Sequence, residues 1–254
     1  MSVSVDLNHY RLELANPSRI QSALSIRSII YIPLGAIEWH GLHLPIGLDG
    51  LTSHGLCLRS AHETGGLVMP PLYYGMTGSI GHHPWTILLE KEETLIAMLK
   101  DTLHRLEAFG VKLAVIFTGH FGKRQLALLR EFKELWIEEK HSMKLLVLSV
   151  SECPQAKMKG DHGAIFETSL LSRLHPELVQ LNNLPDKDEY PANDPEGDSW
   201  GEHRRDPKNI LFGILGDDPR MWEESRAKEL YDSILSWLIK ESIDNAGSLD
   251  NGKE

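Results

Sequence analysis

A chain of 254 residues with 41% hydrophobic and 24% charged residues carries enough apolar mass for one large α/β domain or at most two small ones. Its formal charge of −10 argues against a nucleic-acid partner, which needs a basic face to neutralise phosphates. Cys57 and Cys153 are too far apart for a Cys-x-x-Cys site, no apolar run reaches the ~18 residues of a membrane span, and the N-terminus has no signal-peptide core, so a cytoplasmic protein is expected.

In chain order, residues 18–26 read as a short helix and SIIYIPLG (28–35) as a buried strand, apolar and β-branched up to its Pro and Gly. Residues 38–47 form a loop. A helix follows over 50–62, with Asp49 as its N-terminal cap. LVMPPLYYG (67–75) and WTILLEK (85–91) read as strands. Leu95, Ile96, Leu99, Leu103 and Leu106 set a helical period over 92–109. KLAVIFTG (112–119) is the clearest central strand, followed by a helix over 121–139, a strand over 143–150 and a helix over 163–174. Residues 182–209, rich in Pro, Asp, Asn and Gly, form a long irregular segment of the kind that serves a site or an interface. A last short strand is expected at 211–216 and a helix over 219–243 with Pro219 in its first turn; 244–254 reads as a disordered tail.

Short apolar strands alternating with long helices predict a three-layer α/β/α sandwich with a mostly parallel sheet, built as one domain over 1–243. In such sheets ligands bind outside the carboxyl ends of the strands, so the loops after 28–35, 112–118 and 143–150 are where chemistry belongs.

The first of these loops holds Glu38, His40, His43 and Asp49, four metal-ligand types within twelve residues, with Gly and Pro that let a short backbone turn sharply. Carboxylates and imidazoles suit zinc, manganese or iron, and Asp49 has two oxygens with which to bridge two ions. The plain alternative is a solvated loop with a capping Asp49. In the second loop His120 follows the best strand directly, between Gly119 and Gly122. In the third, Glu167 sits between Phe166 and Leu170, and a carboxylate buried there needs a cation or a partner; pointing to solvent or bonding nearby backbone N–H groups is the alternative. His162, just before that helix, has the right pKa range for proton transfer. Each loop alone is ambiguous, but three independent coincidences are needed to dismiss all of them.

At these residues the sequence resembles the creatininase (creatinine amidohydrolase) family. Its first motif, Glu-x-His-Gly-x-His-Leu-Pro-x-Gly-x-Asp, is matched by Glu38 through Asp49 without a gap. Its second, Asn-Gly-His-Gly-Gly-Asn, reads Thr118-Gly119-His120-Phe121-Gly122-Lys123 here, and its third, His-Ala-Gly-Glu-x-Glu-Thr-Ser, runs from His162 through Glu167 to Ser169. A late Gly-Val-x-Gly-Asp-Pro pattern appears between Gly213 and Pro219 with one extra Asp. The resemblance implies a creatininase-type α/β fold and hydrolysis of a C–N bond other than a peptide bond. It implies two divalent ions, zinc first and manganese or iron otherwise. Glu38, Asp49 and His120 would hold one, and His40, Asp49 and Glu167 the other. It further implies a small-molecule substrate and a homo-oligomer, often a hexamer in the family; the lack of a long apolar run leads us to expect no membrane partner. His162 is the expected proton-transfer residue, His43 a second catalytic candidate that orients a ligand, and Trp200 a substrate-binding lid residue.

The departures point away from creatinine itself. Both Asn positions of the second motif are replaced, by Thr118 and Lys123; Ile165 replaces a Glu; and Gly122 stands where creatinine-cleaving members carry a metal-binding Glu. Two other readings remain: a non-catalytic member that binds metal or ligand, and a phosphoester hydrolase using Lys123 and Arg124 at a helix start.

Overall fold

The computed structural model describes residues 6–76, 80, 83–191 and 205–247. Among the described residues four parallel strands, β1 (Ile29–Leu34), β2 (Leu67–Val68), β3 (Leu113–Thr118) and β4 (Lys144–Ser149), lie in the order β2-β1-β3-β4. The α-helices described around them are α1 (Pro17–Ile26), α2 (Leu48–Thr64), α3 (Glu92–Ala108), α4 (Lys123–Glu138), α5 (Ile165–Leu174) and α6 (Glu224–Ala246).

The three layers follow from the period of two along a strand. Ile29 and Tyr31 of β1 and Val115 and Phe117 of β3 face a core built with Leu56 of α2, Phe166 of α5 and Ile234 of α6. Ile30, Ile32 and Leu34 face the opposite core with Leu95 and Leu99 of α3 and Leu129 and Phe132 of α4, and Ile20 and Leu24 of α1 pack against its margin. A strand buried on both faces needs apolar residues at every position, so β1 and β3 read as unbroken apolar runs. Among the described residues no helix is long and apolar enough to cross a membrane.

Several elements are shorter than expected. The 67–75 strand stops at Val68, because Pro70 and Pro71 have no N–H for the ladder; only Leu72 regains a bridge, to Leu34. Residues 85–91 keep two isolated bridges, Ile87 to Ile37 and Leu89 to Met76, with Trp85 and Ile87 exposed. Residues 211–216 form a turn, not a strand: Gly213 (φ +82°) and Gly216 (φ +139°) leave the extended region, and only Leu215 bridges, to His162. Pro219–Met221 is a short 3-10 turn that precedes α6. The helix then runs past Ile243 to Ala246, so 244–246 belong to it, while 248–254 lie outside the described residues.

The register sets the position of the site. Leu34 pairs with Thr118, and Thr118 with Ser149. The carboxyl ends of β1, β3 and β4 are therefore level, and the loops that follow them leave from one rim.

Candidate metal centre

Glu38, His40, Asp49, His120 and Glu167 come together at that rim, each no more than 4% exposed. They arrive from the β1–α2 loop, the first turn of α2, the second residue after β3 and the first turn of α5. Asp49 is not the helix cap expected of it. The cap position is Gly47, α2 begins at Leu48, and the Asp49 side chain turns inward.

Close backbone approach makes this meeting feasible. A Cβ on Gly119 would lie 2.1 Å from the carbonyl oxygen of Asp49, so only glycine lets the β3 end press against the start of α2. Gly163, at φ +60°, lets the third loop pass against the His40 backbone in the same way.

The hydrogen bonds fix both imidazoles. Nδ1 of His40 donates to the carbonyl of Glu38 at 2.9 Å, and Nε2 of His120 donates to the carbonyl of Met76 at 2.8 Å. The other nitrogen of each ring then faces carboxylates. Nε2 of His40 lies 3.3 Å from Asp49 Oδ1 and 3.5 Å from Glu167 Oε2. Nδ1 of His120 lies 3.0 Å from Glu38 Oε2 and 3.2 Å from Asp49 Oδ2. A lone pair facing two acceptors is stable only with a cation between them.

The electrostatics say the same. Burial opposes charge on His40, but Glu167, Asp49 and Glu38 outweigh it and raise the imidazole to about 10. Burial is likewise overcome at His120, which Asp49 and Glu38 hold well above its ordinary value. Burial pushes Glu38 and Asp49 up, yet the neighbouring imidazoles carry both below the usual carboxylate range. Glu167 goes the other way: burial dominates over the attraction of His40 and keeps its carboxyl well above normal. These carboxylates draw a positive charge onto the two imidazoles, and a metal cation answers the same demand. Glu38 Oε1, His40 Nε2 and Asp49 Oδ1 are buried without any hydrogen-bond partner, which supports that fit. Glu38, Asp49 and His120 offer three donor atoms within 4.8 Å of one another, and so do His40, Asp49 and Glu167. The donor set suits a first-row divalent ion.

His162 stands over this group. Its ring tilts against His40 at 4.5 Å, its Nε2 is 3.9 Å from Glu38 Oε1, and that nitrogen is buried and unpartnered. His43 does not join the group. It points behind α5, where its Nε2 shares a hydrogen bond with Thr168 Oγ1 at 3.0 Å, and it does not line the cavity above the carboxylates. Trp200 lies outside the described residues. Arg124 is taken up by Glu92 and Glu131, so the phosphate reading keeps only Lys123, which lines the cavity mouth.

Three supporting residues were not among the candidate site residues. Asp161 accepts from the backbone N–H of Phe166 at 2.7 Å and of Glu167 at 3.4 Å, and so holds the start of α5. Burial, helped by Asp217, lifts its carboxyl to about 7. Gln125 is fully buried: its Oε1 accepts from Met76 N, and its Nε2 donates to Thr118 Oγ1 and to the His120 carbonyl. Thr118 donates to that same carbonyl at 2.6 Å. An acidic residue four places before α5 was a legible signal for Asp161. A glutamine in a helical apolar period carries none.

The Creatininase family model, described as creatinine amidohydrolase, matches residues 13–241. A creatinine amidohydrolase from Pseudomonas putida is 31% identical over 182 residues, which cover 62% of this chain and 68% of that protein. A mycofactocin precursor peptide peptidase from Mycobacterium ulcerans (strain Agy99) is 29% identical over 167 residues, 61% of this chain and 62% of that protein. In fold, a solved creatinine amidohydrolase (creatininase) superposes with a TM-score of 0.71 at 24% identity, covering 91% of this chain and 96% of that one. A manganese creatininase superposes with a TM-score of 0.72 at 23% identity over the same shares. A creatininase variant of Zn-Zn type gives a TM-score of 0.71 at 24% identity, again over 91% and 96%. Sequence, fold and the gathering of the three motifs at one rim agree, and the chain belongs to the creatininase family.

Proposed function

We propose that this chain is a metal-dependent amidohydrolase that cleaves the C–N bond of a small amide, cyclic amide or formamide. The observation that carries the reading is the pair of fixed imidazoles, His40 and His120, each turning its free nitrogen toward buried carboxylates. Glu38, Asp49 and His120 hold one divalent ion, zinc or manganese in the family's solved relatives, and His40, Asp49 and Glu167 hold a second. Bound there, the ions supply Lewis acidity toward a carbonyl oxygen and toward water.

The protein's own groups move the proton and admit the substrate. Burial is the main force that holds His162 below its ordinary value, which favours the neutral imidazole. Its unpartnered Nε2 takes a proton from the attacking water and returns it to the departing nitrogen. Asp161 keeps Glu167 in place through the start of α5, and His43 supports the same helix through Thr168. The cavity of about 220 Å³, lined by Phe121, Gly122, Lys123 and His162 above the carboxylates, admits a small molecule or the end of a longer one. With Gly122 in place of the family's glutamate, we read the substrate as other than creatinine. The similarity to a peptidase widens the search to peptide amides. Exposed Tyr74, Trp85 and Ile87 support a homo-oligomer, which light scattering would check.

The test is turnover by zinc- or manganese-loaded protein, against chelated protein, on amides, cyclic amides, formamides, short peptides and phosphoesters. Amine release that requires metal supports the reading. Phosphoester turnover alone would reassign the class, and no turnover with metal bound would favour a non-catalytic binding protein.

A further inference from the structure

At the opposite rim of the sheet, where the strands begin, a second group of ligand-type side chains stands apart from the centre described above. His104 and Glu107 are three residues apart near the end of α3, hence on one face of the helix. His141 lies in the turn between α4 and β4. One donor atom from each falls within 4.8 Å of the others.

The surroundings of His141 resemble those of a metal-binding imidazole. Its Nδ1 faces Glu107 Oε2 at 2.8 Å, while Nε2 bonds Glu139 Oε2 at 2.9 Å. A carboxylate on the outer nitrogen is the arrangement that orients a ligating histidine and raises its basicity. Trp136 stacks on the ring with centroids 3.5 Å apart and planes 13° apart, which fixes its rotation. Glu107 is held as well: its Oε1 accepts from Ser142 N, Ser142 Oγ and Met143 N, leaving Oε2 for the histidine side. Lys100 holds the other oxygen of Glu139 at 2.8 Å.

The ion pair of His141 with its two glutamates accounts for those three residues but not for His104. Its ring stands 5.1 Å from His141 and 5.4 Å from Trp136, yet it makes no hydrogen bond among the described residues. From this geometry we infer a second, peripheral metal site, in which His104, Glu107 and His141 bind one first-row divalent cation such as Zn²⁺, with a position open to solvent. The cation replaces the proton that His141 Nδ1 shares with Glu107. Ligand bonds near 2.1 Å in a tetrahedral arrangement separate two donors by about 3.4 Å, so the pair opens by roughly half an ångström. The site ties the end of α3 to the α4–β4 turn and serves as a clamp, not a reaction centre.

The test compares tag-free, metal-loaded wild type with His104→Ala after dialysis against zinc. The wild type should retain one more zinc ion per chain than the variant and gain a zinc-dependent rise in thermal midpoint that the variant lacks. Metal-free midpoints and turnover should match in both proteins, since His104 makes no hydrogen bond and lies far from the catalytic rim. Glu139→Gln, which removes the carboxylate from the outer nitrogen of His141 and also weakens the Lys100 pair, should weaken the extra site by about 10–100-fold. Equal zinc content in wild type and His104→Ala, or an equal zinc-induced shift, would overturn the inference. Because the comparison is a difference between two proteins with the same catalytic centre, it fails or succeeds independently of the amidohydrolase reading.

Discussion

Nε2 of His120 donates to the carbonyl oxygen of Met76 across 2.8 Å, and that single bond decides which nitrogen of His120 meets the carboxylates. The Met76 segment is itself tied to α4 by Gln125, whose Oε1 accepts from Met76 N at 2.8 Å. The orientation of one ligand-type residue thus rests on a buried amide several residues away along the chain.

Gln125→Ala removes that tie together with the bonds to Thr118 and the His120 carbonyl. We expect metal affinity to fall by about 10–100-fold, the usual cost of losing a group that positions a ligand. Metal-buffered titration checks it. Thr118→Val, which deletes one of the two donors to the His120 carbonyl, should show a smaller loss in the same direction.

His162→Gln should leave metal content unchanged and lower kcat by about 10²–10⁴-fold, the range for a lost proton-transfer group. Steady-state kinetics with elemental analysis of the same samples separates the two. Full kcat in the variant would remove His162 from the reaction.

Gly119→Ala places a methyl 2.1 Å from the Asp49 carbonyl, a clash with backbone that side-chain adjustment cannot relieve. The variant should lose about 1–3 kcal/mol of stability, as overpacked sites do. It should also bind metal less tightly, because Asp49 and His120 are pushed apart. Denaturant unfolding and metal titration measure the two effects.

The legibility of the sequence varied with the kind of signal. β1 and β3 were readable because a doubly buried strand must be apolar at every position, and their level ends made the three loops converge as expected. That three loops meet at one rim was readable from loop order, and the set of Glu38, His40, Asp49, His120 and Glu167 within them came from the family resemblance. Residues 211–216 were not readable, since LFGILG is apolar enough for a strand and only the positive φ of Gly213 and Gly216 reveals a turn. Residue type and spacing alone could not separate His43 from His40, as both sit in one short loop; the family resemblance set His43 outside the ligands, and the fold turns it toward Thr168. Gln125 was invisible because nothing in a helical period marks a glutamine as inward-facing.

Glu107 offers a test of pH dependence. Burial raises its pKa, but bonds from Ser142, His141 and Met143 outweigh burial and bring the carboxyl down from 4.5 to about 2. A folded-state pKa below the unfolded one gives stability that is present above pH 4.5 and lost as pH falls through about 2. Glu107→Gln should therefore be less stable than wild type at neutral pH, with the difference shrinking across that acid window. Urea unfolding at a series of pH values would show it, and a constant difference would refute it.

Anomalous X-ray diffraction at the zinc edge, on crystals of zinc-loaded protein, locates the ions among the five buried side chains. Anomalous peaks are expected at two positions, one among Glu38, Asp49 and His120 and one among His40, Asp49 and Glu167, both lost in Asp49→Asn. Zinc-replete crystals with no peak within bonding distance of these side chains would contradict this expectation.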